Sequence, residues 1–289
     1  MTSCPTLCEY VQMRRDAAAE DGVDMPNDEQ SLAGLNPHIP HPERIYNYFL
    51  GGKNNFAVDR ALAEQMLAID PTIPHIAQAN RAFLRRSVTY LAADAGIRQF
   101  LDIGTGLPAN DNIHEVAQRV APESRIVYVD NDPLVMAHAR ALLTGVPEGT
   151  TAYLQADLRD PEKILGEAAD ALDFSQPIAT LLHGVVQFIP EFDEAHQVIR
   201  TLLDAMPVGS YLSLAHIAAD VRPETARSMD EASASSPVVS VYRTRDEVAR
   251  FVAGLELVEP GLVTASEWRP DPGADSTPVP IWVAVARKP

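Results

Sequence analysis

Asp102, Gly104, Gly106, Asp130 and Asp157 carry the first chemical signal in this chain. Asp102 closes the apolar run Phe100-Leu101, and Gly104-Thr105-Gly106 follows it. About twenty-five residues later a second apolar run, Val127-Tyr128-Val129, ends in Asp130. Glycines one residue apart let a backbone turn sharply and come close to a ligand. A carboxylate at the end of the next strand can accept both hydroxyl protons of a ribose. Asp157, in Gln155-Ala156-Asp157-Leu158, follows a third run and can accept from an adenine amino group. Each residue also has a plainer reading. The glycines could serve packing alone, and Asp130 or Asp157 could cap a helix or a turn. Asp132 is the better cap, because Pro133 follows it. Three such sites in the right order point to a nucleoside pocket more strongly than any one does.

Strands alternating with helices must position these residues. Strands are expected at 99–103, 125–130, 151–155, 178–184 and 210–216, with helices at 112–120, 133–143, 161–169 and 194–206. That alternation implies a mostly parallel sheet covered on both faces. Ahead of it, Pro42–Leu50, Phe56–Ile69 and Ile76–Ala95 carry apolar residues at helical spacing. Beyond it, Arg222–Val239 reads as a polar insertion rich in Ser and Ala. Thr244–Val252 reads as a helix, with Thr244 and Glu247 at capping-box spacing. Leu257–Trp268 and Ile281–Arg287 read as an antiparallel hairpin at the sheet edge, joined by a loop rich in Pro, Gly and Asp. The expected organisation is a flexible extension over 1–36, with one short helix around Tyr10–Glu20, then a helical cap over 37–97 and the nucleoside-binding domain over 98–289.

Composition narrows the class of partner. The chain has 289 residues, 46% of them hydrophobic, enough for one large α/β domain with an appendage. No apolar run spans a bilayer and no signal-peptide core precedes residue 28, so a cytoplasmic enzyme is expected. A net charge of −17 argues against nucleic acid as the main partner. Arg81, Arg85 and Arg86 could form a local basic patch, but read more simply as a solvated helix face. Cys4 and Cys8 lack companions for a metal site or a structural disulfide, so no metal is expected.

Two adenosine cofactors suit the layout. NAD fits in part, because Gly104-x-Gly106-x-x-Ala109 satisfies the dinucleotide pattern. Asp102 favours S-adenosylmethionine (SAM) instead. A carboxylate there is unfavourable beside a pyrophosphate and favourable beside an ammonium. There is also no Tyr-x-x-x-Lys pair, and the chain has only three lysines.

Asp102-Ile103-Gly104-Thr105-Gly106, Val129-Asp130-Asn131-Asp132-Pro133 and Ala156-Asp157-Leu158-Arg159 resemble the motifs of class I SAM-dependent methyltransferases. The stretch from Arg44 to Arg60, RIYNYFLGGKNNFAVDR, is similar to the signature of a largely actinobacterial methyltransferase family long labelled as of unknown function. Asn80–Arg86 and Gly254–Val258 also resemble it, and the likeness runs from about Pro37 to Lys288. It implies a Rossmann-like domain with a helical N-terminal cap, SAM as cofactor and S-adenosylhomocysteine as product. By position it implies cofactor contacts at Asp102, Gly104, Thr105, Gly106, Asp130, Asn131, Asp157 and Leu158. Tyr46, Tyr48, Lys53, Asn54, Asn55 and Arg81 become candidates for the acceptor or for cap closure; their plainer role is packing of the cap. Pro108 stands near where many relatives have a third glycine, and Gln187 where a histidine is expected.

Methyl transfer needs in-line positioning and needs a base only if the acceptor must lose a proton. His183 and His216, at the ends of the fourth and fifth strands, are candidates for a base or an acceptor contact; packing is the alternative. The Asn/Asp-Pro-Pro-aromatic motif of many nucleic-acid amino-methylating enzymes is missing after the fourth strand. A small-molecule acceptor is therefore expected. An NAD-dependent oxidoreductase and a SAM-binding regulator without transfer activity are the alternatives.

Overall fold

The computed structural model describes residues 36–109, 111–143, 145–234 and 236–289. The expected helix at Tyr10–Glu20, most of the N-terminal extension and both cysteines lie outside the described residues. Among the described residues three helices come first: α1 (Pro42–Phe49), α2 (Ala57–Ile69) and α3 (Ile73–Ala93). The alternating part follows as β1 (Gln99–Ile103), α4 (Ile113–Val120), β2 (Arg125–Asp130), α5 (Pro133–Leu142), β3 (Thr150–Gln155), α6 (Pro161–Ala168), β4 (Ala179–His183), α7 (Phe192–Ala205) and β5 (Tyr211–Ile217). The chain continues through α8 (Pro223–Ser233), α9 (Arg245–Phe251), β6 (Glu256–Leu257), β7 (Val263–Thr264) and β8 (Ile281–Arg287). No helix among the described residues is long and apolar enough to cross a membrane.

The sheet runs β3-β2-β1-β4-β5-β8-β6, and β7 also pairs with β8. The first five strands are parallel; β8 is antiparallel to β5, with Ser213 opposite Val285. Every residue of β1 is buried, as a central strand covered on both faces requires. One face packs on α3, α4 and α5 through Phe83, Val88, Val116 and Met136. The other packs on α6, α7 and α9 through Ile164, Ile199, Leu202 and Phe251. The strand order reverses at β1 and β4, which opens a crevice above their C-terminal ends.

Three elements differ from the sequence reading. Helix α3 starts three residues early, because Pro74 sits in its first turn, where a missing N–H costs nothing. The expected strand over 257–268 is broken into β6 and β7. Pro260 has no N–H for the ladder, and Gly261 turns back to Val258. The pair is not a simple edge hairpin, since β8 lies inside the sheet between β5 and β6. The polar insertion contains α8, whose Pro223 opens it and whose Ala226 and Met229 are buried. Helix α8 packs on α2, and Arg222 ahead of it grips Asp70 at 2.7 Å. Val238 joins Ile45, Phe49, Ala63 and Ala77 in a small separate core among α1, α2 and α3.

Candidate functional site

The glycine turn after β1 is held from below. Gly104 and Thr105 donate their N–H groups to Val129 O at 2.9 and 3.2 Å. Gly106 N–H donates to Asp130 Oδ2 at 2.9 Å. Gly104 and Gly106 have φ of +78° and +68°, which L side chains rarely adopt. A Cβ at Gly104 would also lie 2.6 Å from Val185, and one at Gly106 would overlap Glu43 Oε2. The turn is thus a bare backbone cradle: positive φ disfavours a side chain at both glycines, Val185 fills the space over Gly104, and the movable end of Glu43 covers Gly106.

Four carboxylates surround that turn. Asp102 is 5% exposed, and burial pushes it up to about 7 against the pull of Thr105 and Arg81. Asp130 is pushed up to about 6 by burial, although it accepts from Gly106 and Asp132 N–H. Asp132 caps α5 by accepting from Leu134 N at 2.8 Å, as its place before Pro133 predicts. Its other oxygen faces His41 at 3.2 Å and Arg44 at 3.7 Å. The fourth is Glu43, on the first turn of α1. Burial, then Asp130, Asp132 and Asp102, hold it well above the usual carboxylate range.

The signature segment folds around one buried ion pair. Asp59 accepts from Arg44 Nε at 2.9 Å and from the backbone N–H of His41 and Phe56. The pair is 3% and 0% exposed. Arg44 also reaches the carbonyl of Ile39 and lies over the Phe56 ring. Asn47 Oδ1 accepts from Asn54 N–H and Asn55 Nδ2, both at 3.0 Å, so these two asparagines shape the turn after α1. Lys53 is exposed on that turn. Tyr48 donates its hydroxyl to Glu64. Tyr46 points the other way, donating to Ala77 O at 3.1 Å and accepting from Asn80 Nδ2 at 3.2 Å.

Between the turn and the cap lies a cavity of about 800 Å³. Its walls include Glu43, Tyr46, Asn80, Arg81, Asp102, Gly104, Thr105 and Gly106. Ile45, Phe49, Met66, Ile73, Met229 and Val238 make much of the remainder apolar. Asp130, Asn131, Asp157 and Leu158 stand outside those walls, at the ends of β2 and β3. There Asp157 accepts from Asn131 Nδ2 at 3.1 Å and from Arg159 N–H at 2.9 Å. Those bonds and Arg159 hold its carboxyl below the usual range despite partial burial. Asp157 therefore presents a charged, partly exposed acceptor beside the crevice.

The two histidines differ in their freedom. His216 Nδ1 faces Ile217 O at 2.9 Å and Nε2 faces Arg243 Nη1 at 2.8 Å. Both nitrogens are engaged, and burial pulls its pKa down to about 3. Arg243 in turn donates to the carbonyls of Val186 and Ile189. His183 Nε2 bonds Ser213 Oγ at 2.8 Å, while Nδ1 is buried without a hydrogen bond. Burial also pulls His183 down to about 3, and its ring packs on Phe83. Asn80 Oδ1 and Gln187 Oε1 are likewise buried without a hydrogen-bond partner. The three arginines of α3 do not form a free basic face. Arg86 donates to the carbonyls of Trp268 and Ala265, Arg85 pairs with Asp271, and Arg81 donates to Asp111 O at 3.0 Å.

The sequence reading missed Glu43 and the Arg44–Asp59 pair. Glu43 looks like an ordinary first-turn acid after a proline. The pair had a faint signal, since its members flank the whole signature segment.

The cradle offers bare backbone, a carboxylate at the end of β2 and further acids along the cavity, a setting that suits a cationic nucleoside. Comparisons with known proteins agree. A family model described as S-adenosyl methyltransferase matches residues 28–289. A DUF574 family protein from Streptomyces avermitilis is 42% identical, with a TM-score of 0.84, over 88% of this chain and 99% of that one. A proposed methyltransferase from Thermobifida fusca is 38% identical, with a TM-score of 0.80, over 86% of this chain and 95% of that one. A comparison with curated proteins gave no match.

Proposed function

The chain belongs to the S-adenosyl methyltransferase family, and from that premise we propose that it methylates a small, largely apolar acceptor held between the cap and the ends of β4 and β5. The observation that carries this reading is the cavity of about 800 Å³ running from the glycine turn to the cap helices. Sites for small molecules span roughly 300–1,000 Å³, so the space suits a cofactor tail together with a compact acceptor. When bound, S-adenosylmethionine supplies a methyl group already activated on a sulfonium.

The cofactor side is formed by Asp102, Gly104, Thr105 and Gly106, continued by Asp130 and Asn131 for the ribose and Asp157 and Leu158 for the adenine. Asp130 both fixes the Gly106 N–H and faces the ribose position, so it couples the shape of the turn to ribose binding. On the acceptor side, Tyr46 is held by Ala77 and Asn80 and pushed up to about 12 by burial, so it stays a neutral hydrogen-bonding group. The lone oxygens of Asn80 and Gln187 favour an acceptor that brings an N–H or O–H donor. A histidine pulled down to about 3 is a feeble general base at neutral pH. That supports a nucleophile with its own lone pair, such as an amine.

Calorimetric titration with S-adenosylmethionine, S-adenosylhomocysteine and NAD tests the donor half. Binding of the first two and not the third is expected; binding of NAD alone would sink the reading. Formation of S-adenosylhomocysteine against a panel of apolar amines and phenols tests the acceptor half. Turnover confined to nucleic acid or protein would overturn it.

A further inference from the structure

Glu43 is the acid that the cavity leaves unsatisfied. It sits on α1, yet its Oε2 lies over Gly106, where a Cβ would overlap it. Among the described residues its carboxylate has no hydrogen-bond or ion-pair partner. The nearby basic groups are otherwise engaged: Arg44 by Asp59, Arg81 by Asp111 O, and His41, which burial holds below its ordinary range, by Asp132. Asp130 has its two N–H donors, Asp132 its cap, His41 and Arg44, and Asp102 the pull of Thr105 and Arg81, whereas no such group offsets Glu43. A carboxylate so placed raises the free energy of the empty site, and a cation entering the cavity relieves it.

The proposed cofactor carries two cationic centres, a sulfonium and an α-ammonium. The ammonium is the one with N–H donors, and donors are what an unpartnered carboxylate lacks. We propose that Glu43 receives the α-ammonium of the cofactor, so that the cap supplies one wall of the methionine subsite. This rests on the reading that the glycine side of the cavity holds that cofactor. It gives α1 a double task. Glu43 touches the cofactor, while Tyr46, three residues on along the same helix, faces the acceptor space. Cofactor binding thereby fixes the helix that frames the acceptor.

The test is calorimetric titration of the full chain and of Glu43→Gln with three ligands. S-adenosylmethionine has both cationic centres, S-adenosylhomocysteine keeps only the ammonium, and 5′-methylthioadenosine has neither. Loss of a charged hydrogen-bond partner is expected to weaken the first two alike, about 10- to 100-fold, and to leave the third within about twofold. Glu43→Asp should recover part of the loss. Thermal melts of the ligand-free variants establish that they are folded. Weakening of S-adenosylmethionine alone would assign Glu43 to the sulfonium and overturn the proposal. So would equal weakening of all three ligands, or no change. Failure of the unaltered chain to bind either methionyl ligand would overturn the cofactor site, and this assignment with it.

Discussion

Replacing Asp102 by Asn should stabilise the ligand-free protein at pH 7 to 8 while weakening its hold on the cofactor. Asp102 is 5% exposed on a fully buried strand, and burial raises it to about 7. In an unfolded chain an aspartate titrates near 4. The folded protein therefore holds a proton that the unfolded chain has already released. The stability linked to that proton is complete below about pH 4 and is lost as pH climbs through 7. Each pH unit inside that window costs about 1.4 kcal/mol, so the passage from pH 5 to pH 7 removes about 3 kcal/mol. Asparagine has no proton to lose and spares that cost. Urea denaturation at pH 5, 6, 7 and 8 reads the effect. The wild-type curve should fall more steeply than that of Asp102→Asn, with the two drawing together as pH falls towards 4. Asp130, raised to about 6, titrates in both proteins, and because its charge helps to raise Asp102 the difference between the two curves reports on the pair. A variant less stable than wild type at pH 8, or one with the same pH slope, would refute the reasoning. Calorimetry supplies the other half, an expected 10- to 100-fold loss of affinity for S-adenosylmethionine, about the scale of one charged hydrogen bond.

Asp130→Ala should weaken S-adenosylmethionine by roughly 1–3 kcal/mol in the same titration, since both the proposed ribose acceptor and the anchor of Gly106 N–H are lost. Gly106→Ala should cost about 1–2 kcal/mol of stability from its positive φ alone, plus the overlap with Glu43. Adding Glu43→Ala should return the overlap part, which a double-mutant cycle of urea midpoints would show as favourable coupling. Asp59→Asn should destabilise the fold by about 3–5 kcal/mol in urea, because Arg44 would stay buried without its counter-charge. Binding of the cationic cofactor should tighten as pH rises from 5 to 8. Asp102 and Asp130 ionise across that range, and the charged forms attract it. A flat affinity profile would count against both groups facing the ligand.

The alternating elements were legible because their signals are local. Asp132-Pro133, Thr244 with Glu247, and the apolar run before Asp102 each predict a boundary from neighbours in sequence, and each boundary falls within a residue or two. The glycine turn was legible for the same reason, since it is one contiguous stretch with an acid at each strand end. What escaped depends on contacts between distant segments. Glu43 meets Gly106 across more than sixty residues, a juxtaposition that no periodicity encodes. The freedom of His216 could not be judged before Arg243, which follows β5 on a separate segment, was found against its Nε2. The insertion looked like polar linker because α8 buries only a narrow stripe, Ala226 and Met229, against the cap. The strand over 257–268 misled because its apolar content was right while Pro260 denied it a continuous ladder.

The position of β8 bears on how the molecule is made. Ile281–Arg287 is the strand that covers β5, some seventy residues after β5 itself has been synthesised. During translation the edge of β5 stays open until residue 287 leaves the ribosome, and exposed edges of this kind pair promiscuously. Ribosome stalling or cleavage within the Pro- and Gly-rich loop before β8 would therefore yield a nascent chain whose five parallel strands end in an adhesive border. Such a fragment is a natural client for a chaperone that shields strands.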